Sequence, residues 1–355
     1  MKDKLSKWKN HKFKDVYLLG AGASLAYGYP LGQMLKEEIL KLASGNDQIF
    51  NKLKENIDKD KRSDIQHELG EFSKEFDKFI EAFKKSGAET IDSFVHRNPS
   101  LLGISRFLVG YVLTIRARAA RNIIDGAVSK MNDHAEPWIH NYLNKRVGTN
   151  YQQYINEPDC FISFNYDLSL EDHFLNYFSS QQIDGYVSGN SKRIVFNELP
   201  VFHIYGQLSG LKPVLSSLSR NEPPDVENLL QVSSEINFID RKDNVDYLAI
   251  REIIQKAERL IVLGYGYDPD NNHILFGGLK GLQNNFLTLK VLSTCKGFSE
   301  SEVEEFKRLR FEENLVKSHD VLRKYETEMF DKDCNQFLLD HILIRKFFND
   351  KQKNE

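Results

Sequence analysis

The chain has 355 residues, of which 41% are hydrophobic and 28% charged. This length predicts one large α/β domain with insertions, or two domains. The formal net charge of -3 argues against direct nucleic-acid binding, which needs a basic face. The three cysteines, Cys160, Cys295 and Cys334, lie far apart without a C-x-x-C pair, so we expect neither a structural zinc site nor a disulfide framework.

The N-terminal arm, residues 1–14, carries six lysines. Two interpretations are open: a solvated, frayed tail, or an arm that docks on an acidic partner. No apolar run approaches the ~20 residues of a membrane span. The N-terminus also lacks the hydrophobic stretch of a signal peptide. We therefore expect a cytoplasmic protein without a membrane partner.

Continuous apolar runs predict strands that are covered on both faces of a sheet. The four strongest runs are residues 16–20, 160–165, 259–266 and 287–294, and two shorter candidates are 193–197 and 201–206. Helical patterns alternate with these runs in the second half of the chain. The alternation predicts an α/β fold, a Rossmann-like doubly wound parallel sheet.

A long segment with almost no strand pattern separates the first two strong strands. Residues 33–55 and 62–85 have helical periodicity, and the stretch from Ile91 predicts one or two long helices with an apolar stripe. A β-α crossover does not need that length. The predicted parts are a sheet domain of residues 15–32 and 156–315, a large helical insertion, 33–155, and a helical C-terminal tail, 316–355.

The stretch GAGASLAYGYP follows the first strand, where a dinucleotide-binding fold has its phosphate-binding turn. Gly20 and Gly22 allow a tight turn and close approach to a pyrophosphate at a helix N-terminus, and the Ser24 hydroxyl can donate to phosphate. The third glycine of the usual fingerprint is displaced to Gly28. A tight β-α turn without a ligand is the alternative.

Polar residues follow the next two strands along the chain. Asn165 and Asp167 alternate and are expected to face a cleft at the carboxyl edge of the sheet, where open parallel sheets bind ligands. Alternatively, they cap the helix predicted from Leu168. His203 and Tyr205 are two residues apart on a strand and are predicted to share a face. A hydrogen-bonded core histidine is the other interpretation of His203.

A second glycine-bearing strand end occurs in LGYGYDPDNNHIL. Gly264 and Gly266, followed by Asp270 and Asn271, stand where a Rossmann-like sheet is expected to hold the other half of the nucleotide. A plain turn is again the alternative. Each of these motifs is modest alone, and their order along the chain adds to their weight.

In this order, the motifs resemble the sirtuin-like family. GAGAS with Gly28-Tyr29-Pro30 is similar to the family's opening motif, Asn165-Tyr166-Asp167 to its N-x-D, and GYGYDPDN to its late glycine element. HIYG stands where the family has a catalytic histidine followed by glycine. Ile91-Asp92-Ser93-Phe94 resembles an I-D-x-F element of bacterial relatives.

The chain also departs from the protein-deacetylating sirtuins. It lacks their zinc module of two C-x-x-C pairs, has Leu31-Gly32-Gln33 where they have Phe-Arg, and carries the large helical insertion. These features are similar to the zinc-free sirtuin-like effectors of bacterial antiphage defence. The resemblance therefore implies an NAD+ hydrolase (NADase) that converts NAD to ADP-ribose and nicotinamide, without a metal, as a toxic effector in abortive infection.

The resemblance also assigns residue roles. Asn165 would orient water and the ribose hydroxyls, Asp167 would hold the nicotinamide carboxamide, and His203 would act as the general base. Aligned on the following glycine, the catalytic position falls on Tyr205, so the choice between His203 and Tyr205 stays open. The positions expected to bind NAD are Gly20, Ala21, Gly22, Ser24, Pro30, Tyr205, Gly206, Gly264, Tyr265, Gly266 and Asn271.

Two other functional classes remain open. One is a sensor that binds NAD or ADP-ribose without catalysis, and the other is an NAD-dependent protein deacylase, which the missing zinc module disfavours. A toxic hydrolase has to be held in check, and no sensor module is recognised in this chain. We therefore expect a homo-oligomer, a separate sensor or helicase-type ATPase partner, or both.

Overall fold

A parallel β-sheet forms the centre of the computed structural model. Six strands are described: β1 (Asp15–Leu19), β2 (Cys160–Ser163), β3 (Val201–His203), β4 (Arg259–Leu263), β5 (Lys290–Thr294) and β6 (Thr327–Phe330). The structure describes residues 2–60, 65, 69, 71–124, 137–148, 151–180, 194–208, 222–238, 246–276, 289–306 and 327–343. The predicted α/β fold with a Rossmann-like parallel sheet is confirmed.

The strands lie in the order β3-β2-β1-β4-β5-β6, and every pairing is parallel. In β1, Tyr17 pairs with Phe161 on one side and with Ile261 on the other. The order therefore reverses at β1 and β4, and this is the strand order of dinucleotide-binding Rossmann sheets.

Both faces of the sheet are covered by apolar side chains, as the continuous hydrophobic runs predict. Tyr17 and Leu19 point into one buried cluster, and Val16 and Leu18 point into another on the opposite face. This division follows from the two-residue side-chain period of a strand. A parallel sheet buried on both faces cannot show the alternating pattern of a half-exposed sheet.

Helices connect the strands. The first half of the chain contains α1 (Lys2–Trp8), α2 (Gly32–Leu42), α3 (Gln48–Lys59), α4 (Phe72–Lys85), α5 (Ile91–Arg97), α6 (Leu102–Ile124), α7 (Ile139–Tyr142) and α8 (Tyr151–Asn156). The second half contains α9 (Ser169–Ser180), α10 (Val226–Ser234), α11 (Tyr247–Lys256), α12 (Pro269–Phe276), α13 (Glu300–Phe306) and α14 (Cys334–Phe337).

Every regular element described between β1 and β2 is helical, and the helices α2 to α8 lie there. Its apolar side chains join those of one sheet face in a single buried cluster, which contains Phe79, Phe94 and Phe107 together with Tyr17. The inserted helices therefore share their core with the sheet.

The long helix α6 runs through this shared core. The helical stretch Pro99–Ala120 is long and apolar enough to cross a membrane by length and composition alone, whereas no such run was expected. Of its most apolar 18-residue window, 67% is buried inside the protein. A core helix passes the same test, and this degree of burial favours that interpretation.

The N-terminal arm packs against the sheet, so the frayed-tail interpretation is wrong for its described residues. Leu5, Trp8 and Phe13 are buried in the cluster on the second face. The Trp8 indole Nε1 donates to the Glu198 carbonyl at 3.0 Å, and the Lys4 ammonium donates to the Phe196 carbonyl at 3.1 Å. These contacts fix α1 to the segment that precedes β3.

Two local predictions are wrong. The candidate strand 193–197 is a π-helical turn from Ile194 to Glu198 in its described part. The C-terminal tail was predicted to be helical, but Thr327–Phe330 adds the sixth strand before α14 and a π-helical turn, Leu338–Leu343. All four residues of β6 are only half-buried, so the strand lacks the strong apolar pattern of the others.

Replacing the indole that anchors α1 tests whether the N-terminal arm is part of the core. We expect Trp8→Ala to lower the free energy of unfolding by about 3 kcal/mol, because a large buried side chain and its hydrogen bond are lost. Ser6→Ala, an exposed position on the same helix, is the matched control. Equal denaturation midpoints for the two variants and the parent protein would contradict the packed arm.

Candidate functional site

The predicted site residues lie at the carboxyl edge of the sheet. The strand order reverses between β1 and β4, so the chain leaves these neighbouring strands toward opposite sides. In open α/β sheets, the crevice at such a switch point is where ligands bind. Gly20 follows β1, and Gly264 follows β4, so the two glycine-bearing segments meet at this position.

The two glycine loops are in direct backbone contact. The Gly22 amide donates to the Gly264 carbonyl at 2.8 Å, and the Gly20 amide donates to the Leu263 carbonyl at 3.0 Å. A Cβ atom on Gly20 would lie 2.5 Å from the Gly264 oxygen, and one on Gly264 would lie 2.1 Å from the Ala23 nitrogen. Loop packing alone therefore requires glycine at these positions.

No α-helix begins directly after the first glycine loop, which departs from the prediction. Two 3₁₀ turns, Ala21–Ala23 and Leu25–Tyr27, come first, and α2 begins only after the buried Pro30. Gly28 ends the second turn with φ +85°, a left-handed conformation that favours glycine. This conformation is the physical reason for the displaced third glycine.

Asn165 connects β2 to the glycine loop. Its side-chain Nδ2 donates to the Gly20 carbonyl and to the Ser24 hydroxyl, each at 2.9 Å. Both amide protons are thereby used, and the Oδ1 atom accepts from no donor among the described residues. The half-buried side chain therefore keeps one acceptor for a ligand hydroxyl or a water molecule.

Asp167 is held by the start of α9. Its Oδ1 accepts from the Ser169 amide at 3.1 Å and from the Ser169 hydroxyl. Burial raises the pKa of the Asp167 carboxyl, although bonds from Ser169 and Ser24 and the charge of His203 oppose this. Asp167 therefore fits the predicted capping role, whereas Asn165 does not.

The Ser24 hydroxyl also has its hydrogen-bond partner inside the protein. It is buried, accepts from Asn165, and is close enough to the Asp167 carboxyl to act against the rise of its pKa. In this arrangement the serine joins the glycine loop to the segment after β2. Its predicted donation to a phosphate stays a prediction.

His203 lies behind Asn165, and both of its ring nitrogens have partners. Nδ1 contacts the Asn165 carbonyl at 2.8 Å, and Nε2 contacts the Glu171 carboxylate at 2.7 Å. Both His203 and Glu171 are almost completely buried, with 4% and 3% of their surfaces exposed. The predicted general base thus has no free nitrogen in this arrangement, and it instead supports the backbone of Asn165.

The buried pair changes the titration of both groups. Burial lowers the pKa of His203, but the Glu171 charge and hydrogen bond and the Asn165 carbonyl outweigh it and raise the pKa above its ordinary value. Burial raises the pKa of Glu171, but His203, with a contribution from Lys4, outweighs it and lowers the pKa. The pair is therefore stabilised as imidazolium and carboxylate.

Tyr205 does not share a face with His203, because β3 ends at His203 and the chain turns. Tyr205 lies in the cluster on the second face, and its hydroxyl donates to the Asn271 side chain. Gly206 has φ +82°, and a Cβ there would lie 1.9 Å from the Glu235 carbonyl oxygen. The shared-face prediction is therefore wrong, although Asn271 and Tyr205 do meet.

A cavity of about 330 Å³ adjoins the glycine loops. Its walls come from the carboxyl ends of β1, β4, β5 and β6, and Trp138 adds an aromatic surface. Of the positions expected to bind NAD, Gly22, Gly264, Tyr265 and Gly266 line it. Polar groups that the sequence did not reveal are Thr294, Lys296, Lys332 and Asp333.

Three residues that shape the site, Glu171, Thr294 and Tyr267, were not predicted from the sequence. Glu171 is 32 residues from His203 in the chain, so no local motif joins them. Thr294 accepts from the Gly264 amide at 2.9 Å and fixes the second loop to β5. Tyr267 has φ +53°, which is unusual for a residue with a Cβ and marks strain next to Gly266.

The described part of the chain contains no group of three or more His, Cys, Asp and Glu side chains that could hold a metal ion. Cys160, Cys295 and Cys334 are free and buried. In comparisons with known proteins, no family model, curated protein or solved structure matched the chain. The chemistry of the site is therefore inferred from its own contacts.

Gly264→Ala tests the loop contact. We expect the added Cβ to lower the free energy of unfolding by at least ~2 kcal/mol, because φ is +58° and the backbone of Ala23 blocks the space. Gly266→Ala is the matched control, since it lines the same cavity and has no atom within 4 Å of the added Cβ. Similar thermal midpoints for the two variants would contradict close packing of the loops.

Glu171→Gln tests the buried ion pair through the pH dependence of stability. The raised pKa of His203 adds stability that is complete below its unfolded value of ~6.5 and is lost as pH rises through the folded value. The lowered pKa of Glu171 adds stability above its unfolded value of ~4.3, which is lost as pH falls through the folded value.

The stability difference between the parent protein and Glu171→Gln should therefore be largest between about pH 4.5 and 6.5. It should decrease on further alkalinisation. Urea denaturation at pH 5.5 and 9 measures this change. A difference that grows with pH over that interval would show that the pair is not ionised as described.

Proposed function

We propose that the protein hydrolyses NAD+ to ADP-ribose and nicotinamide. The main support is the cavity beside two touching glycine loops at the point where the strand order 3-2-1-4-5-6 reverses. Its volume of about 330 Å³ is at the lower end of the range for ligand pockets, roughly 300–1,000 Å³. This size suits a nucleoside, so the adenosine half would occupy the cavity.

The other half of the dinucleotide would pass over the glycine loop toward Asn165. Gly266 leaves open space on the cavity wall, and the Asn165 Oδ1 has no protein donor in the described region. That oxygen can accept a hydrogen bond from a ribose hydroxyl or from the attacking water. His203 and Glu171 lie behind Asn165 and hold its backbone in place.

The chemistry places few demands on the protein. The nicotinamide of NAD+ is already a cationic leaving group, so no strong acid is needed to expel it. The protein must position the ribose, stabilise positive charge that develops on it, and orient a water molecule. A role as a toxic effector in bacterial antiphage defence is part of the proposal and rests on the motif resemblance alone.

A sensor that binds NAD or ADP-ribose without catalysis is the second candidate. The occupied ring nitrogens of His203 favour it, because the histidine has no free lone pair for proton transfer. Calorimetry combined with chromatography separates the two functions. A sensor binds NAD and returns it intact, whereas a hydrolase releases nicotinamide.

Asn165→Ala tests the proposed hydrolase. We expect turnover of NAD to fall by roughly 100-fold, as when one positioning group is removed from an enzyme site. Asn144→Ala, which removes an exposed amide, is the matched control and should keep full activity. Products are identified by chromatography with and without an acetylated peptide, which also tests protein deacylation.

Retention of full turnover in folded Asn165→Ala would remove Asn165 from the mechanism. Absence of nicotinamide release by the parent protein, with intact NAD recovered, would reject the hydrolase itself. Thermal denaturation of each variant separates lost chemistry from lost folding, because Asn165 also binds the glycine loop.

A further inference from the structure

Four polar side chains from four segments of the chain form two hydrogen-bonded pairs near the carboxyl ends of β2 and β3. We call Asp92, Tyr166, Tyr205 and Asn271 the tyrosine cluster. The Tyr166 hydroxyl lies 3.4 Å from Asp92 Oδ1 and 3.2 Å from the Asn237 carbonyl oxygen. The Tyr205 hydroxyl donates to Asn271 Oδ1, and the rings of Tyr166 and Tyr205 are 6.4 Å apart.

The tyrosine cluster adjoins the site described above. Tyr166 directly follows Asn165, and Tyr205 follows β3 at the same edge of the sheet. Tyr205 packs on Phe164 at 5.4 Å between ring centres, and Phe164 packs on Tyr265 at 5.3 Å. Because Tyr265 lines the cavity, a continuous chain of packed, buried aromatic rings connects the cavity wall to the cluster.

Asp92 is fixed at the start of α5. Thr90 caps this helix by accepting from the Ser93 amide at 3.2 Å, and Ile91 and Phe94 are buried in the core. These anchors hold the half-buried Asp92 carboxyl beside the Tyr166 hydroxyl. The I-D-x-F motif therefore holds a carboxylate near the carboxyl edge of the sheet, where Tyr166 follows β2.

Hydrolysis needs a group that accepts a proton from water. His203 does not fit this role, because both ring nitrogens contact oxygen atoms of the protein. Asp167 does not fit either, because its Oδ1 accepts from Ser169 within the cap of α9. A carboxylate accepts protons readily when it is close to the reacting water.

Burial raises the pKa of Asp92 to about 6, and the charge of Asp268 adds to this effect. The hydrogen bond from Tyr166 acts in the opposite direction and favours the carboxylate. Tyr205 also faces Asp92, and Arg106 acts on Tyr166 from α6. A general base works best when its pKa is near the working pH, and burial brings the pKa of this carboxyl closer to neutrality.

We infer that Asp92 is the general base of the proposed NAD hydrolysis, a role that rests on the proposed function. The bond between the nicotinamide nitrogen and ribose C1′ breaks, and its electron pair leaves with nicotinamide. Water oxygen forms the new bond to C1′, and its proton passes to the Asp92 carboxylate. The proton then returns to solvent, so no further reactant is required.

Asp92→Asn tests this role. The substitution keeps the shape of the side chain and removes the proton acceptor, so kcat should fall by 10²- to 10⁴-fold, roughly the usual contribution of a general base. The Kd for ADP-ribose should stay within about threefold, since the cavity is unchanged. Glu89→Gln is the matched control, an exposed carboxylate in the loop just before α5, and should keep parent activity.

The pH profile distinguishes a base from a structural carboxylate. The parent kcat/KM should rise with pH through about 6 and then level off, and Asp92→Asn should lose this limb. Tyr166→Phe removes a hydrogen bond that stabilises the carboxylate, so its limb should move to higher pH. A purely structural role would leave the limb in place.

Three results overturn the inference. If folded Asp92→Asn turns over NAD at the parent rate, the role of Asp92 as general base is rejected, while the proposed hydrolase stands. A parent protein that releases no nicotinamide rejects both. If Asp92→Asn fails to fold, Tyr166→Phe decides, and an unshifted limb in that variant rejects the role of Asp92.

Discussion

The architecture of the site depends on contact between two backbone loops that carry no Cβ atoms at their meeting point. Gly20, Gly22 and Gly264 approach so closely that any larger residue would have to displace main-chain atoms. Main-chain contact of this kind leaves little freedom for either loop, since protein interiors are close-packed. The loops after β1 and β4 therefore form one rigid unit, the floor of the crevice. The Asn165 side chain, which follows β2, donates a hydrogen bond to this floor.

A buried polar network supports this floor from one side. Glu171, His203, Asn165 and Ser24 link β3, β2 and α9 to the first glycine loop. Breaking a buried ion pair by removing one partner is costly, because the other charge stays without compensation. The network thus accounts for a buried histidine whose two ring nitrogens are both bonded within the protein. Near the same edge of the sheet, the Asp92 carboxyl is half-buried and Tyr205 is buried.

The sequence was sufficient to predict the strands that lie in the middle of the sheet, because residues such as Val16 to Leu19 are apolar on both faces. It could not reveal β6, whose residues are half-buried and carry no continuous apolar run. The motifs predicted a site at the carboxyl edge of the sheet. The direction of the Tyr205 side chain could not be predicted, because it depends on β3 ending at His203. The partner Glu171 depends on tertiary contact alone, so no spacing along the chain could identify it.

The single buried cluster that joins Tyr17 of β1 to Phe79, Phe94 and Phe107 of the inserted helices has a further consequence. Elements that share one core melt together, because neither can expose its apolar surface while the other stays folded. The insertion therefore cannot act as an appendage that detaches and re-docks. A change that destabilises these helices would therefore also destabilise the floor of the crevice, in the same cooperative transition.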